Sequence, residues 1–279
     1  MISILFGLAS GLSWGAGDFA GGLASRKLGT YRAVFFQEVV GLCLVVAPVL
    51  IIREPFFSSR ALVFAMLSGV SGNMGLLLFY HALWTRNMSI AAPVSALMTA
   101  ILPVVAGSLT EGTPGALTFL GFGFALTAVW LVSQDHDSTR GVRAHLSDLV
   151  LPLLAGIGFG GFFILIHEAS RASTIWPMIA SRTTGVIMVG LLMLTRRMPW
   201  RVDPSVRAPV AASGVLDISG NLFFILAAQA GRLDVAAVLG SLYPGGTVLL
   251  AWLFLKERLS RLQWLGIALA MVAIVLLTL

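Results

Sequence analysis

Charge is scarce in this chain: Lys, Arg, Asp and Glu make up 11% of 279 residues, against roughly 25% in a soluble globular domain. That deficit excludes a water-soluble fold, and with 58% hydrophobic residues and a mean hydropathy of +0.95 the class is integral membrane protein. Cysteine is almost missing. Cys43 stands alone inside an apolar run, which excludes a disulfide framework or a cysteine-rich metal centre and leaves a small packing residue. His-Glu-x-x-His and the phosphate-binding loop are absent, and no Gly-x-Ser-x-Gly stands at a strand-to-helix elbow, since the pattern occurs once, at 11–15, inside the first apolar run. This argues against metalloprotease, serine-hydrolase and ATP-driven chemistry. The expectation is therefore no enzyme, no metal and no cofactor, with a membrane-embedded enzyme kept as the alternative from another class. No positively charged start of a cleavable signal precedes the first apolar run, which reads as a retained span.

What is present is apolar length. A span needs about 20 apolar residues to cross roughly 30 Å of hydrocarbon. Ten candidates follow, near 2–24, 33–52, 61–83, 89–109, 116–134, 149–168, 174–195, 208–229, 234–255 and 261–279. The net charge of +6 and pI of about 10.4 come from basic residues at the ends of these runs. Arg26-Lys27, Arg196-Arg197 and Lys256-Glu257-Arg258 read as membrane-surface anchors, not as a nucleic-acid stripe.

The two sides of the polar stretch 134–145 resemble each other. "GNMGLLLFYHAL" (72–83) parallels "GNLFFILAAQAG" (220–231), and "SIAAPVSALMTAILPVVAG" (89–107) parallels "DVAAVLGSLYPGGTVLLAW" (234–252). "LTFLGFGFALTAVWLVS" (117–133) parallels "LQWLGIALAMVAIVLLT" (262–278), with Gly121 matching Gly266. Five spans is an odd number, so a duplicated copy enters the membrane upside down, an arrangement common in transporters. The expected architecture is all-α, ten transmembrane helices in two inverted five-helix repeats around a central cavity, the repeats covering 1–137 and 149–279.

"LSWGAGDF" in the first span, "LKERLSRLQWLGIALAMVAIVLL" at the end and the 5+5 plan resemble the EamA-type branch of the drug/metabolite transporter superfamily. Its amino-acid and metabolite exporters are the nearest comparison. The resemblance extends over essentially the whole chain, and 257–266 is its most specific part. In the first repeat the same place reads "TEGTPGALTFLG", without a basic residue after Glu111. The resemblance implies a ten-helix basket around a cavity. It leaves the substrate open, since the superfamily moves amino acids, drugs, sugars and nucleotide-sugars.

Loop charge bears on orientation, because Lys and Arg accumulate on the cytoplasmic side. Loops after odd-numbered spans hold thirteen basic residues and loops after even-numbered spans hold Arg53, Arg60, Arg171 and Arg232. That bias places both termini outside the cytoplasm, whereas the resemblance implies cytoplasmic termini.

Polar residues inside the spans are the candidates for a substrate site, since each is costly in lipid. Asp18 reads either as a cavity-lining acid or as a near-surface acid with a basic partner, and Trp14 shares its helix face. Glu38 and Arg182 hold corresponding places in spans two and seven and carry opposite charges. Asn73 and Asn221 are read as counterparts; Asn73 shares a face with Tyr80, and Asn221 with Asp217. Asp217 lies roughly 14 Å into its span, too deep for a short side chain to reach the surface, and calls for a cation such as Arg182, water or a proton. His81, His167 and Glu168, near span ends, read as interfacial. Tyr243, like Trp14 and Tyr80, offers an aromatic face to an apolar or cationic substrate. "SLYPGGTV" (Pro244, Gly245, Gly246) interrupts span nine, and Pro93 and Pro103 are expected to act similarly in span four. Together these point to a secondary transporter in a bacterial inner membrane, exporting small metabolites by alternating access, with amino acids the leading class. Exporters of drugs, cations or sugar-type metabolites are the alternatives. The expected partners are a small-molecule substrate and the lipid bilayer, with no nucleic acid, in a monomer or weak homo-oligomer.

Overall fold

The computed structural model describes residues 1–50, 54, 58–84, 88–133, 146–255 and 259–278, and within these the side chains of 50, 80–84, 88–93, 146–148, 251, 255 and 278 are left out. Tyr80, His81 and Pro93 therefore lie outside the described side chains, and the 134–145 stretch and Lys256-Glu257-Arg258 lie outside the described residues. The described chain is all-helical: α1 (Ile2–Leu28), α2 (Thr30–Val46), α3 (Ser59–Trp84), α4 (Met88–Thr110), α5 (Ala116–Val132), α6 (Leu146–Ala169), α7 (Ile175–Thr195), α8 (Arg207–Ala230), α9 (Leu233–Gly240), α10 (Tyr243–Leu255) and α11 (Arg261–Thr278). Among the described residues six segments are long and apolar enough to cross a membrane, at 30–49, 59–79, 149–169, 175–195, 204–230 and 233–254. Shorter apolar helices lie at 94–110, 116–132 and 261–277.

Local chemistry sets the ends. Arg26 and Lys27 occupy the last turn of α1, where cations complement the helix dipole, and Gly29 at φ 76° turns the chain into α2. Span nine is divided at Ser241–Leu242. Pro244 has no N–H to offer the Gly240 carbonyl, so the backbone closes instead through Leu242 N–H to the Leu239 carbonyl and Gly245 N–H to the Leu242 carbonyl. In α4, Pro103 causes no such division: the helix runs unbroken from Met88 to Thr110, so the expected likeness between spans four and nine does not extend to a break.

The most extensive packing joins the first half of the chain to the second. α1 lies along α8 and α6 along α3; α1 also carries α9 and α10, as α6 carries α4; α2 touches α7 and α8, as α7 touches α2 and α3; α5 packs on α11. α1 and α8 run antiparallel, stitched by Ser3 Oγ to the Ala227 carbonyl, Ser10 Oγ to that of Gly220 and Ser213 Oγ to that of Gly17, at 2.8, 2.8 and 3.0 Å.

Close approaches at glycine fix the register. Gly69 lies against Ser181 and Thr184, and Gly214 against Gln37 and Val40; Gly75 meets Phe159 and Gly220 meets Trp14. Gly121 meets Leu277 as Gly266 meets Val132. In each case the same contact recurs with partners exchanged and a shift of about 145 residues. One pair corrects the sequence reading: Gly185 faces Asn73 and Glu38, while Gly41 faces Ile218 and Arg182. Asn73 is thus matched to Ile218, not to Asn221, because small residues set how closely the helices seat, and an asparagine displaced by one turn does not disturb that register.

Candidate functional site

Four charged groups meet in the depth of the bundle, from α1, α2, α7 and α8. Arg182 Nη1 donates to Glu38 Oε1 at 2.8 Å, and Arg182 Nη2 donates to Asp217 Oδ2. The arginine and Glu38 side chains are sealed, at 6% and 8% exposure, while Asp217 remains 22% exposed. Gly41 gives the guanidinium room: a Cβ there would stand 3.6 Å from Arg182 Cζ and Nε. Glu38 Oε2 and Asn73 Oδ1 are buried with no hydrogen-bond partner, while Asn73 Nδ2 donates to the Gly69 carbonyl at 3.0 Å. A charge removed from water in this way is held only by its partners, so the network stands or falls as a unit.

Asp18 belongs to the same neighbourhood. Gly17 packs on the Asp217 backbone, and the Asp18 and Asp217 charges lie within range of each other. Asp18 is open to solvent although it sits deep in the protein, and no hydrogen bond or ion pair engages it among the described residues. One turn further along, Gly22 faces open space.

Above Asp18 stands an aromatic stack. Trp14 lies parallel to Phe163 at 5.2 Å, Phe163 to Phe224 at 4.3 Å, and Trp14 Nε1 donates to Asn221 Oδ1 at 3.2 Å. The last residue of α9, Gly240, rests on these rings, and the Tyr243 carbonyl beyond the break approaches Gly15 of α1. Gly7 and Gly11 seat α1 on Leu239 and Gly240, since small residues let helices approach closely. Pro103 is fully buried in α4, and Pro244 is buried at the start of α10.

A second charged cluster closes one end of the bundle, and sequence reasoning missed it. Arg232 donates to Asp234 from Nε at 3.0 Å and from Nη2 at 2.7 Å, and reaches the Gly112 carbonyl at 2.7 Å. The bond to Asp234 raises the Arg232 pKa further. Asp234 is completely buried at the first turn of α9, where Gly107 of α4 packs against it. Glu111 accepts the Leu233 N–H at 3.2 Å and lies 3.8 Å from His167. Beside this latch opens a cavity of about 700 Å³ lined by Glu54, Glu111, His167, Arg171, Thr174 and Gln229, among others. His167 and Glu168, read as interfacial, thus belong to this end; Glu168 pairs with Arg171 at 2.5 Å. An acid in the first turn of a span was the only signal in the sequence for Asp234.

An all-helical bundle of membrane-length spans enclosing an ion-pair network defines a multi-pass membrane protein with a polar interior. The profile of the EamA-like transporter family matches it twice, over 1–134 and 146–279, and the chain belongs to that family, within the drug/metabolite transporter superfamily. The uncharacterized transporter YwfM of Bacillus subtilis is 25% identical over 98% of this chain and 93% of its own. The uncharacterized protein MJ1333.1 of Methanocaldococcus jannaschii is 30% identical over 47% of this chain and 95% of its own. A putative sugar uptake protein of Enterococcus faecalis is 22% identical over 67% of each chain. A crystal structure superposes with a TM-score of 0.79 at 16% identity, covering 99% of this chain and 96% of that one, and shares the fold. Family and relatives point to a transporter, not an enzyme.

Proposed function

We propose that this protein is a secondary transporter exporting small metabolites, amino acids foremost, by alternating access between inverted repeats spanning 1–137 and 149–279. The observation that carries the reading is Arg182 held between Glu38 and Asp217 at the meeting of α2, α7 and α8, with Asp18 open beside them. Charges at that depth are expensive and need a purpose, and a solute pathway supplies one. Exchange of the glycine contacts supports the repeat, because a two-fold relation between halves produces that pattern.

Alternating access is supported by asymmetry between the two ends. α4 packs on α9 beside the Arg232–Asp234 latch, whereas α4 and α10 share no extensive contact among the described residues. The division at Ser241–Leu242 separates a buried α9 from an α10 whose Trp252, Leu253 and Phe254 are exposed. α10 is then the arm that swings, with Pro244, Gly245 and Gly246 at its pivot. The name of the Enterococcus relative favours sugars as a second reading.

Solute flux in proteoliposomes, over amino-acid and sugar panels, tests the proposal. Asp217→Asn keeps the shape of the site and removes its charge; the expected result is a folded protein with strongly reduced flux. Normal flux at every pH by that variant would remove Asp217 from the pathway.

A further inference from the structure

Charge is unevenly distributed around the proposed pathway. Among the described residues its depth holds three carboxylates, Asp18, Glu38 and Asp217, against the one guanidinium of Arg182, a formal balance of −2 when all are ionised. The cation is also the wrong group to meet a solute. Arg182 is sealed, at 6% exposure, and each terminal nitrogen already donates to a carboxylate of its own chain, so a solute carboxylate has little access to it. The accessible members are the acids: Asp217 partly exposed, Asp18 open and unengaged. Glu38 adds an independent sign of an unfilled demand, since its Oε2 is more than nine-tenths buried with no donor facing it. On the same face as Asp18, one turn away, the Trp14 ring stands beside the pathway.

From this arrangement we propose that the transported solute is an ammonium cation: an amine, or an amino acid with a basic side chain, received between Asp18 and Asp217 and needing no carboxylate of its own. The solute's positive charge offsets the surplus of carboxylates, and its N–H groups supply donors to oxygens that have none to spare from the protein. Asp18 provides the open half of the seat; Asp217, already bonded to Arg182, provides the fixed half. A neutral hexose brings no charge to offset the surplus, and a dicarboxylic amino acid adds to it. The inference rests on the transporter reading above and narrows its substrate class.

The experiment uses the purified full-length protein and a size-matched panel: 1,5-diaminopentane, lysine, norleucine, glutamate and glucose. Binding is measured by calorimetry and movement by flux in proteoliposomes. The expected order is diaminopentane and lysine well above norleucine, with glutamate and glucose lowest. Asp18→Asn is expected to weaken diaminopentane binding by on the order of tenfold or more, the size of one partly screened charge contact. Asp18→Glu, which keeps the charge, is expected to restore most of that loss, and this separates a lost contact from a lost fold. Norleucine, glutamate or glucose binding as tightly as the amines, or amine binding indifferent to Asp18→Asn, would overturn the assignment. Flux of neutral solutes without flux of amines would sink it while leaving a transporter. Amine binding that depends on Asp18, with no flux of any solute, would instead keep the seat for ammonium and remove the transport reading.

Discussion

Glu38 lies against Gly185 as Arg182 lies against Gly41, and the two side chains meet each other at 2.8 Å, an acid against a base. Two identical side chains there would both be carboxylates or both be guanidiniums, and each arrangement would repel. Opposite charges at the two places turn a clash into a bond. Removing only Arg182, as in Arg182→Met, strands two carboxylates in the bundle and is expected to cost about 3–5 kcal/mol. Combining it with Glu38→Gln and Asp217→Asn removes the stranded charges and should recover most of that stability without recovering flux. Thermal unfolding in detergent, read beside flux, checks both halves of the statement.

The shifted glycine contacts make a second prediction. A Cβ at Gly69 would lie 2.4 Å from the Ser181 carbonyl oxygen, and one at Gly220 would lie 2.6 Å from the Trp14 ring. Gly69→Ala presses on backbone and is expected to destabilise by about 1–3 kcal/mol. Gly220→Ala presses on a side chain that also donates to Asn221, so it should perturb the Trp14 fluorescence environment as well. Gly22→Ala meets nothing within 4 Å and, lying inside α1, should leave the melting temperature unchanged or raise it slightly.

The latch at the α8–α9 turn should behave as a gate. Arg232→Ala leaves Asp234 fully buried without its cation and releases the Gly112 and Glu111 carbonyls. The expected outcome is a shift of the bundle toward opening at that end. A cysteine at Thr110, with Cys43 replaced, should then react several-fold faster with a membrane-impermeant thiol reagent. Unchanged labelling would show the cluster to be only a helix cap.

At the opposite end, orientation is open to direct measurement. Reporter fusions in the 196–207 loop are expected to read as cytoplasmic, following the excess of Lys and Arg in loops after odd-numbered spans. A readout from the other side would show that loop charge does not set the topology of this chain.

Asp203, in that same loop, gives a pH dependence. Its carboxylate accepts the Ser205 N–H at 2.8 Å, which holds its pKa below the ordinary aspartate value. A depressed folded-state pKa contributes stability that is present above the unfolded pKa and fades as the pH falls through the folded one. Local protection of the Ser205 amide from hydrogen exchange, corrected for intrinsic rate, should therefore decline only in strongly acidic solution, and Asp203→Asn should flatten that decline.

The central charges were legible in the sequence because an acid or a base in an apolar run has few tolerable explanations. Asp217 was too deep and too short to reach water at a headgroup, so a partner within the bundle was implied, and Arg182 was within the small set of cations available. The match of Asn73 to Ile218 was not legible: the pairing of two Gly-Asn sequences is an alignment of letters, whereas seating depends on where Ser181, Gln37 and Phe159 press on neighbouring glycines. Proline likewise marked the division of span nine but gave no division at Pro103, where packing of α4 on α6 and α9 sustains the helix. Arg232 read as one loop cation among many, because its meaning depends on Gly112 and Glu111, which lie 120 residues away in the chain.

The antiparallel seating of α1 on α8 has a consequence for biosynthesis. α1 is complete at Leu28, but α8 does not begin until Arg207. At roughly 5–20 residues per second, ribosomal elongation makes α1 wait on the order of 10–40 s for the helix that covers Ser3, Ser10 and Gly17. During that interval its small-residue face and Asp18 have no permanent neighbour from the second half, so the nascent first half is a natural client for membrane insertases and for proteases that survey unassembled helices.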